Sequence, residues 1–250
     1  MKHNNLISIV APVKDEKDNL RWTVDRIFRN VKTHFELLIV YDDAKDNTLP
    51  EALVIAGMHK NIRCIKNDRG AGVVNAILKG FSEAKGDYLV MMAVDRTDDP
   101  KTINVMFDKL QDGFDLVCPT RYSKGGAVIG TISVKSTLSR LAGLSTPLLL
   151  GIPTSDLTYS YKMFRSKILN EIQIESKGGF EFAEELVIKA HLKGYRICEV
   201  PTLWKDRIYG KSKFKLKKWL PKYIYWYLFG IVGRIKLITL KLLNRQKNHP

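Results

Sequence analysis

Short apolar runs alternate with amphipathic segments through the first half of the chain. The apolar runs predict strands, and apolar residues that recur every three or four positions predict the helices between them. The predicted strands cover residues 6–11, 35–41, 61–65, 88–93 and 114–118. The predicted helices cover residues 20–31, 49–58, 73–81 and 100–111. This alternation predicts an α/β fold with a mostly parallel sheet and helices on both faces.

The second half of the chain is less regular. Residues 133–150 are apolar with only Lys135 and Arg140 charged, which predicts an amphipathic helix that meets a membrane, a partner or the C-terminal tail. Further elements are expected as a strand over residues 157–164, a helix over 180–192 and a strand over 195–200.

The C-terminal segment combines aromatic and apolar residues with lysines. Residues 219–233 are strongly apolar, yet only about eleven residues pass without a charge before Arg234, whereas a membrane-spanning helix needs about 20. Aromatic rings beside lysines are typical of the membrane interface. We therefore expect a helix that lies in the headgroup layer. A contact with another helix or with a second copy of the chain is the alternative.

The charge of the chain is concentrated at its C-terminal end. Residues 193–250 contain 15 Lys and Arg but only two acidic residues, whereas the rest of the chain is nearly neutral. Such a tail indicates a polyanionic partner: a membrane surface, nucleic acid or phosphorylated ligands. Three widely spaced cysteines indicate a reducing compartment, and no apolar stretch typical of a signal peptide follows Met1. We therefore expect a cytoplasmic protein.

Three carboxylates follow the predicted fourth strand within five positions: Asp95, Asp98 and Asp99. Open α/β sheets bind their ligands at the carboxyl ends of the strands, and clustered carboxylates suit a divalent metal that holds phosphate oxygens. Alternatively, Asp98 and Asp99 cap the helix predicted to begin at Pro100, and we favour the cap for Asp99. Asp95 lies too early to cap this helix.

Four segments, in chain order, resemble motifs of the family 2 glycosyltransferases. Residues 11–16 (A-P-V-K-D-E) resemble V-P-x-x-N-E, and residues 40–48 resemble V-D-D-x-S-x-D-x-T. The glycine-punctuated stretch 70–87 resembles the helix that leads to the family's metal-binding strand. Residues 207–213 (R-I-Y-G-K-S-K) resemble the R-x-x-G-x-S-K signature of the dolichyl- or polyprenyl-phosphate glycosyltransferase branch.

The resemblance implies a GT-A (Rossmann-like) glycosyltransferase domain over residues 1–213, followed by a basic, aromatic, membrane-interfacial helical segment over 214–250. It places the nucleotide sugar at Pro12, Glu16, Val40, Asp42, Asp43 and Gly72. Turn chemistry is the alternative for Asp43, and a tight turn or close packing against the nucleotide is the expected use of Gly72.

The resemblance also implies a divalent cofactor, Mg²⁺ or Mn²⁺. Asp95 matches the second Asp of the family's D-x-D motif, which binds the metal on the sugar-nucleotide diphosphate. The first Asp falls on Ala93, which cannot coordinate a metal. Since magnesium often takes only one or two protein carboxylates and keeps its waters, a single Asp is chemically sufficient.

Four basic residues and one serine are the candidates for binding the acceptor or leaving phosphate. They are Arg121, Arg140, Arg207 and Lys213, together with Ser212, which belongs to the same signature as Arg207 and Lys213. An arginine fork matches phosphate geometry. Asp156 occupies the family's D-x-T position, and Glu184 and Glu185 fall in its F-x-x-E-L helix; any of them could act as a base, or the two glutamates could form the wet face of a helix.

These expectations combine into one function, with Asp95, Asp156 and Arg207 as the catalytic residues. The chain is expected to move a sugar from a nucleoside-diphosphate sugar to a polyprenyl phosphate at the cytoplasmic membrane face, by an inverting single displacement. The anionic membrane surface is an expected partner, and homo-oligomerisation stays open. Nucleic acid is not expected, because no recognised RNA-binding motif accompanies the charge.

Two alternatives are kept. In the first, the same fold glycosylates a hydroxyl group of a glycan, and this reaction needs a base. In the second, the chain is a non-catalytic nucleotide-sugar-binding relative that has lost its metal site, which Ala93 favours.

Overall fold

A seven-stranded sheet forms the centre of the computed structural model, which describes residues 5–130, 134–207 and 216–247. The strands are β1 (Ile7–Val13), β2 (Phe35–Tyr41), β3 (Ile62–Lys66), β4 (Tyr88–Met91), β5 (Leu116–Thr120), β6 (Ala127–Ile129), β7 (Lys162–Arg165), β8 (Ile197–Pro201) and β9 (Leu203–Lys205). The helices are α1 (Lys17–Asn30), α2 (Leu49–Met58), α3 (Val73–Glu83), α4 (Thr102–Gln111), α5 (Val134–Leu149), α6 (Ile168–Glu171), α7 (Phe182–Leu192) and α8 (Leu216–Lys247).

The strand order of the large sheet is β3-β2-β1-β4-β7-β5-β8. All neighbouring strands in it are parallel except β7, which is antiparallel to both β4 and β5. Because β7 runs in the opposite direction, the loop that precedes it reaches the edge at which β4 and β5 end. This reversal brings residues 156–161 to the carboxyl-end crevice of the sheet.

Two apolar clusters cover the two faces of the sheet. One packs α1, α2 and α4 against it, and the other packs α3, α6 and α7. Strand β4 is buried along its whole length, as its uninterrupted apolar sequence predicts. Helix α3 approaches the sheet closely at Gly80, where an added Cβ would lie 2.3 Å from Val10 Cγ1. The predicted α/β class, a mostly parallel sheet between helices, is therefore confirmed.

The strand predicted over residues 157–164 is wrong in its first half. The ladder begins only at Lys162, because residues 157–161 use their buried tyrosines to bind the loop after β4. The Tyr159 hydroxyl donates to Asp98 Oδ1 at 2.5 Å, and the Tyr161 hydroxyl donates to the Asp99 carbonyl at 3.0 Å. The alternating apolar residues of this segment therefore pack without pairing as a strand.

A second, two-stranded sheet pairs β6 with β9 in parallel, and the sequence pattern did not predict it. Each of its strands has only three residues, too short for a periodic signal. The Asp206 N–H donates to the Ile129 carbonyl at 2.8 Å, and the Lys205 N–H donates to the Thr97 carbonyl at 3.2 Å. These contacts hold the chain up to Arg207 against the loop after β4.

Helix α8 packs on α7 and lies within the predicted helical segment 214–250, extending on both sides of its most apolar part, residues 219–233. Trp226 is buried, and its Nε1–H donates to Ser176 Oγ at 3.0 Å. A Cβ added at Gly230 would lie 3.2 Å from Ile188 Cγ2, and one added at Gly233 would lie 2.5 Å from Leu192 Cδ1. In the described part of the chain, none of the helices has the length and apolar character that crossing a membrane requires.

Candidate active site

The first loop of the crevice joins β1 to α1 and is held by the loop after β2. Asp46 accepts hydrogen bonds from the Asp15 N–H at 3.1 Å and from the Thr48 hydroxyl at 2.6 Å. Thr48 Oγ1 in turn accepts from the Glu16 N–H at 2.8 Å. Asp15 adopts a left-handed backbone, with φ of 58°. Glu16 is thereby fixed at the carboxyl end of β1.

Asp42 links the ends of β2 and β3 to the start of α3. Its Oδ1 accepts from Asn67 Nδ2 at 2.7 Å, and its Oδ2 accepts from the Gly72 N–H at 2.9 Å. Gly72 has a φ of 136°, which favours glycine, and it precedes the first turn of α3. The structure therefore joins two residues that the sequence placed at the nucleotide sugar. Asn67 was missed, although a polar residue after a strand of a parallel sheet was a usable signal.

The other residues assigned to the nucleotide sugar lie in different surroundings. Asp43 Oδ1 accepts from the Lys45 N–H at 2.9 Å, as a turn residue does. Pro12 is half-buried and lies opposite Val40 in the parallel register of β1 and β2. The side chain of Val40 is fully buried among the apolar residues beneath α3.

Asp95 lies beyond the end of β4 and is bound by an arginine from the far end of the chain. Its Oδ1 accepts from the Thr97 hydroxyl at 2.7 Å, and its Oδ2 accepts from Arg207 Nη2 at 2.8 Å. The same Arg207 nitrogen donates to Glu16 Oε1 at 3.0 Å. Partial burial opposes the charge of the guanidinium, but the two carboxylates outweigh it and raise the pKa of Arg207. Arg207 thus bridges the ends of β1 and β4.

Asp98 does not cap a helix, so this alternative is wrong. Its Oδ2 accepts from the Ala93 N–H at 2.8 Å, and its Oδ1 holds the Tyr159 hydroxyl, so that Asp98 closes the loop after β4. Burial and then the charge of Asp95 raise the pKa of Asp98 to about 7.

Helix α4 is regular only from Thr102, two residues later than predicted. Asp99 nevertheless closes the turn that leads into it: its Oδ1 accepts from the Lys101 N–H at 3.3 Å, and its carbonyl accepts from the Thr102 N–H at 3.1 Å. These are the hydrogen bonds of an N-cap residue followed by Pro100, so the cap favoured for Asp99 agrees with the structure.

Among the described residues of the loop after β4, Asp95 is the carboxylate that can still bind a divalent cation. Ala93 offers no ligand, and both oxygens of Asp98 are engaged in hydrogen bonds. Within residues 5–130, 134–207 and 216–247, no group of three or more His, Cys, Asp and Glu residues is arranged to hold a metal ion. Further ligands would have to come from a diphosphate and from water, which is a combination magnesium accepts.

Arg121, at the end of β5, forms a buried two-pronged ion pair with Asp156. Its Nε and Nη2 donate to the two carboxylate oxygens at 2.7 and 2.8 Å. The Arg121 N–H also donates to Asp156 Oδ2 at 3.1 Å, and Asp156 is fully buried. The guanidinium lies over the Tyr159 ring at 4.5 Å. Burial opposes the charge on Arg121, but the hydrogen bond and the charge of Asp156 outweigh it and raise its pKa.

Tyr159 connects the loop after β4 with the end of β5. Its hydroxyl donates to Asp98 in that loop, and its ring lies under the guanidinium of Arg121. Asp156 therefore fixes Arg121, and Tyr159 fixes the distance between Arg121 and the loop that carries Asp95. The ion pair of Arg121 and Asp156 is thereby held at the edge of the crevice.

The two glutamates of α7 are not on a wet helix face, so this alternative is wrong. Both side chains are buried. Glu185 accepts from the N–H groups of Glu175 and Ser176 and from Lys189 Nζ, at 2.6 to 2.9 Å. Burial raises the pKa of Glu184 well above its ordinary value, and its Oε2 has no hydrogen-bond partner among the described residues.

The remaining phosphate candidates are not brought to this site within the described residues. Arg140 is exposed on α5, and Ser212 and Lys213 lie outside the described residues. Lys162, which the sequence did not single out, lies buried behind Asp156, and its Nζ donates to the Asp156 carbonyl at 3.2 Å.

The fold of this chain is similar to that of solved structures of the GT-A type. Crystal structures of glucosyl-3-phosphoglycerate synthase from Mycobacterium tuberculosis align with a TM-score of 0.68 over 91% of this chain and 80% of theirs, at 17% identity. Those structures contain UDP with Mn²⁺ or with Mg²⁺. At this identity the likeness shows the fold, which is the GT-A type.

The family follows from the sequence comparison. Residues 8–173 match the description Glycosyl transferase family 2, and the chain belongs to this family and is a glycosyltransferase. Dolichol-phosphate mannosyltransferase of Saccharomyces cerevisiae is 32% identical over 93% of this chain and 91% of its own length. Polyprenol monophosphomannose synthase of Mycolicibacterium smegmatis is 28% identical, over 91% and 88%.

A third relative is longer than this chain. Dolichol-phosphate mannosyltransferase of Pyrococcus furiosus is 26% identical over 84% of the chain, and the match spans 60% of that protein. The family predicted from the four motifs is confirmed.

Proposed function

We propose that this glycosyltransferase transfers a sugar from a nucleoside-diphosphate sugar to a polyprenyl phosphate at the cytoplasmic face of the membrane. The observation that carries the proposal is the buried Arg121, which Asp156 holds in a two-pronged pair at the carboxyl-end crevice. Asp156 occupies Nε and one N–H of Nη2, and the remaining N–H groups of this guanidinium, whose side chain is 13% exposed, are proposed to bind a phosphate oxygen of the acceptor. The names of the relatives favour mannose as the sugar and a polyprenol phosphate as the acceptor.

The donor side of the proposal rests on the loops around Asp42 and Glu16. Asp42 holds the start of α3 through Gly72, so the N-terminus of this helix faces the crevice. A helix N-terminus and its free N–H groups favour the negative charge of a diphosphate. Arg207 bridges Glu16 and Asp95 between β1 and β4, next to the proposed position of the leaving diphosphate.

A divalent cation, Mg²⁺ or Mn²⁺, fits this arrangement with Asp95 as its one protein carboxylate. When bound, it would neutralise charge on the leaving diphosphate. The chain's own contribution is a carboxylate that Thr97 orients and Arg207 keeps paired until the donor arrives.

The proposed chemistry is a single displacement with inversion. An oxygen of the acceptor phosphate forms the bond to the anomeric carbon while the bond to the diphosphate oxygen breaks, and the nucleoside diphosphate leaves. The second pKa of a phosphate monoester is about 6, so the acceptor is already largely dianionic near neutral pH. Catalysis then depends on positioning and charge neutralisation, which are the roles proposed for Arg121 and Arg207.

Transfer to a glycan hydroxyl is less well supported, because it needs a general base. Asp156 is the residue at the matching position, and both its oxygens are bound by Arg121. In the proposed function Asp156 is therefore catalytic only through Arg121, as a positioning residue.

The membrane part of the proposal rests on α8. This helix contains no acidic residue and exposes large apolar side chains, among them Tyr225, Leu228 and Ile235. A basic helix with an apolar surface is typical of attachment to the headgroup layer. The C-terminal segment 214–250 is accordingly proposed as the peripheral anchor of the glycosyltransferase domain.

The test is a transfer assay with purified full-length protein. Nucleotide sugars are supplied one by one with Mg²⁺ or Mn²⁺ and a short polyprenyl phosphate, and nucleoside diphosphate and lipid-linked sugar are both measured. We expect lipid-linked sugar from one donor and a loss of turnover in Asp95→Asn. Asp108→Asn, an exposed carboxylate on α4, is the matched control.

Other outcomes point to the alternatives. Nucleoside diphosphate without a lipid product would support the glycan-hydroxyl acceptor, and no turnover with any donor would support a binding protein. Full activity of Asp95→Asn would contradict the cation assignment.

A further inference from the structure

The residue that follows Asp95 has an unfavourable backbone conformation. Arg96 has a φ of 66°, which lies in the left-handed region. Among the described residues other than glycine, Asn5 and Asp15 also have a positive φ, but Asn and Asp tolerate this region, whereas an arginine rarely adopts it. Such a conformation persists only where the surrounding contacts impose it.

The contacts that impose this conformation come from α1. The guanidinium of Arg96 lies over the ring of Trp22, 5.1 Å from its centroid, and Arg96 Nη2 donates to the backbone carbonyl of Asp18. The face of a tryptophan ring attracts a cation. Arg26 lies over the same ring at 5.2 Å, but it belongs to α1 itself. Arg96 therefore binds the tip of the loop after β4 to the first turns of α1.

Packing alone does not fix the side chain of Arg96. It is half-buried, and beside it lies a cavity of about 110 Å³ whose walls include Trp22, Arg26 and Arg96. Trp22 is itself 37% exposed. Since the side chain of Arg96 has room to move, its position depends on the tryptophan ring and on the carbonyl of Asp18.

The backbone of Arg96 lies inside the turn that orients Asp95. The N–H and the hydroxyl of Thr97 both donate to Asp95 Oδ1, at 3.2 and 2.7 Å. Because Arg96 is the residue between these two partners, a change of its φ would move Thr97 relative to Asp95. The contacts of Arg96 with α1 thus reach the direction in which the Asp95 carboxylate points.

We propose that Arg96 is a positioning residue of the donor site, which holds the loop after β4 in the turn that presents Asp95. The hold on the loop is independent of catalysis, whereas its effect on a cation rests on the proposed function. Since Ala93 offers no second carboxylate, the orientation of Asp95 decides what this loop contributes to the cation. Residues that orient a metal ligand typically change metal affinity by roughly 10–100-fold when they are replaced.

The charge of Arg96 predicts the opposite effect. A guanidinium beside Asp95 repels a cation, so its removal would strengthen cation binding if the charge alone mattered. Positioning predicts weaker binding instead. The variant Trp22→Leu separates the two effects further, because it removes the ring without changing any charge or the sequence of the loop.

The test uses the full-length protein and two measurements. Binding of Mn²⁺ in the presence of GDP or UDP is measured by electron paramagnetic resonance, and hydrogen exchange of residues 92–101 is measured without metal or nucleotide. The variants are Trp22→Leu, Arg96→Gly and the two combined; glycine tolerates a positive φ, so Arg96→Gly adds no strain. Arg26→Gln, which removes the other cation over the Trp22 ring, is the matched control. Thermal unfolding of each variant checks the fold.

We expect Trp22→Leu and Arg96→Gly each to weaken Mn²⁺ binding roughly tenfold or more. Exchange of the loop should be faster in Trp22→Leu than in wild type, because the contact that holds Arg96 is lost. The combined variant should lose no more affinity than Arg96→Gly alone, since Trp22 acts through Arg96. The control should behave like wild type in both measurements.

Three results would overturn the role of Arg96: stronger or unchanged Mn²⁺ binding by Arg96→Gly, additive losses in the combined variant, or unchanged exchange in Trp22→Leu. A failure of the proposed function gives a different pattern. If wild type bound no Mn²⁺, or if Asp95→Asn bound it like wild type, the cation assignment would fail. The exchange measurement, made without metal or nucleotide, would still decide whether Arg96 holds the loop.

Discussion

Replacing Asp98 by Asn tests whether the buried carboxyl group behind β4 keeps its proton far above the pH at which an ordinary aspartic acid loses it. The structure places both of its oxygens in hydrogen bonds, with the Ala93 N–H and the Tyr159 hydroxyl. An Asn side chain can keep both bonds, since its oxygen accepts from the Ala93 N–H and its amide donates to the tyrosine oxygen. The substitution therefore removes the titration and keeps the shape.

The size of the expected change in the free energy of unfolding follows from the pKa of Asp98. Burial and then the charge of Asp95 raise this pKa from 3.8 to about 7. The folded state holds the proton more tightly than the unfolded state, so the stabilisation is complete below pH 4 and is lost as the pH rises to 7. Within this window the free energy of unfolding of wild type should fall, relative to the variant, by about 1.4 kcal/mol per pH unit. The total is of the order of 4 kcal/mol.

The assay is urea denaturation of wild type and Asp98→Asn at several pH values between 4 and 8. The difference between the two proteins cancels the titration of all other groups. Asp108→Asn, at an exposed carboxylate of α4, is the matched control for the loss of a carboxylate. If the difference between wild type and Asp98→Asn did not change between pH 4 and pH 8, the raised pKa of Asp98 and the reasoning from its burial would be refuted.

Three further predictions concern the charged groups of the crevice. Asp156→Asn should destabilise the fold by about 3–5 kcal/mol in denaturation, because it leaves the buried Arg121 charge without its partner; a loss below about 1 kcal/mol would contradict the buried pair. Ala93→Asp should strengthen Mn²⁺ binding, measured by electron paramagnetic resonance, since it adds a second carboxylate; unchanged affinity would argue against a cation at this loop. Arg207→Gln should also strengthen Mn²⁺ binding by releasing Asp95, but should lower turnover; a fall in both would show that Arg207 does not compete with the cation.

Local features of the sequence were enough to predict most of the sheet. The predicted bounds of β2 and α2 agree with the structure, because apolar runs and helical spacing are read within a few residues. The clustering of Asp42 and Asp95 at one edge of the sheet also follows from local pattern, since parallel strands end on the same side. The four motifs were sufficient to identify the family.

Tertiary structure decided which of these groups meet. Asp95 and Arg207 are 112 positions apart, and Arg121 and Asp156 are 35 apart, so no periodic signal connects either pair. The pairs form because β7 enters the sheet in the opposite direction and because β6 pairs with β9, and both are long-range pairings.

The surroundings of Asp98 and the orientation of α5 were likewise decided by tertiary packing. The sequence left two roles for Asp98, a metal ligand or a helix cap. It also left three contacts for the helix predicted over residues 133–150: a membrane, a partner or the C-terminal tail. Asp98 is buried behind Tyr159 and binds its hydroxyl, which decides its role. In α5, close packing at Gly143 turns the leucines of the helix outwards. Sequence alone determined the elements and the chemistry available to them, because those depend on neighbouring residues. Which charges are paired, buried or exposed was decided by the packing of distant segments.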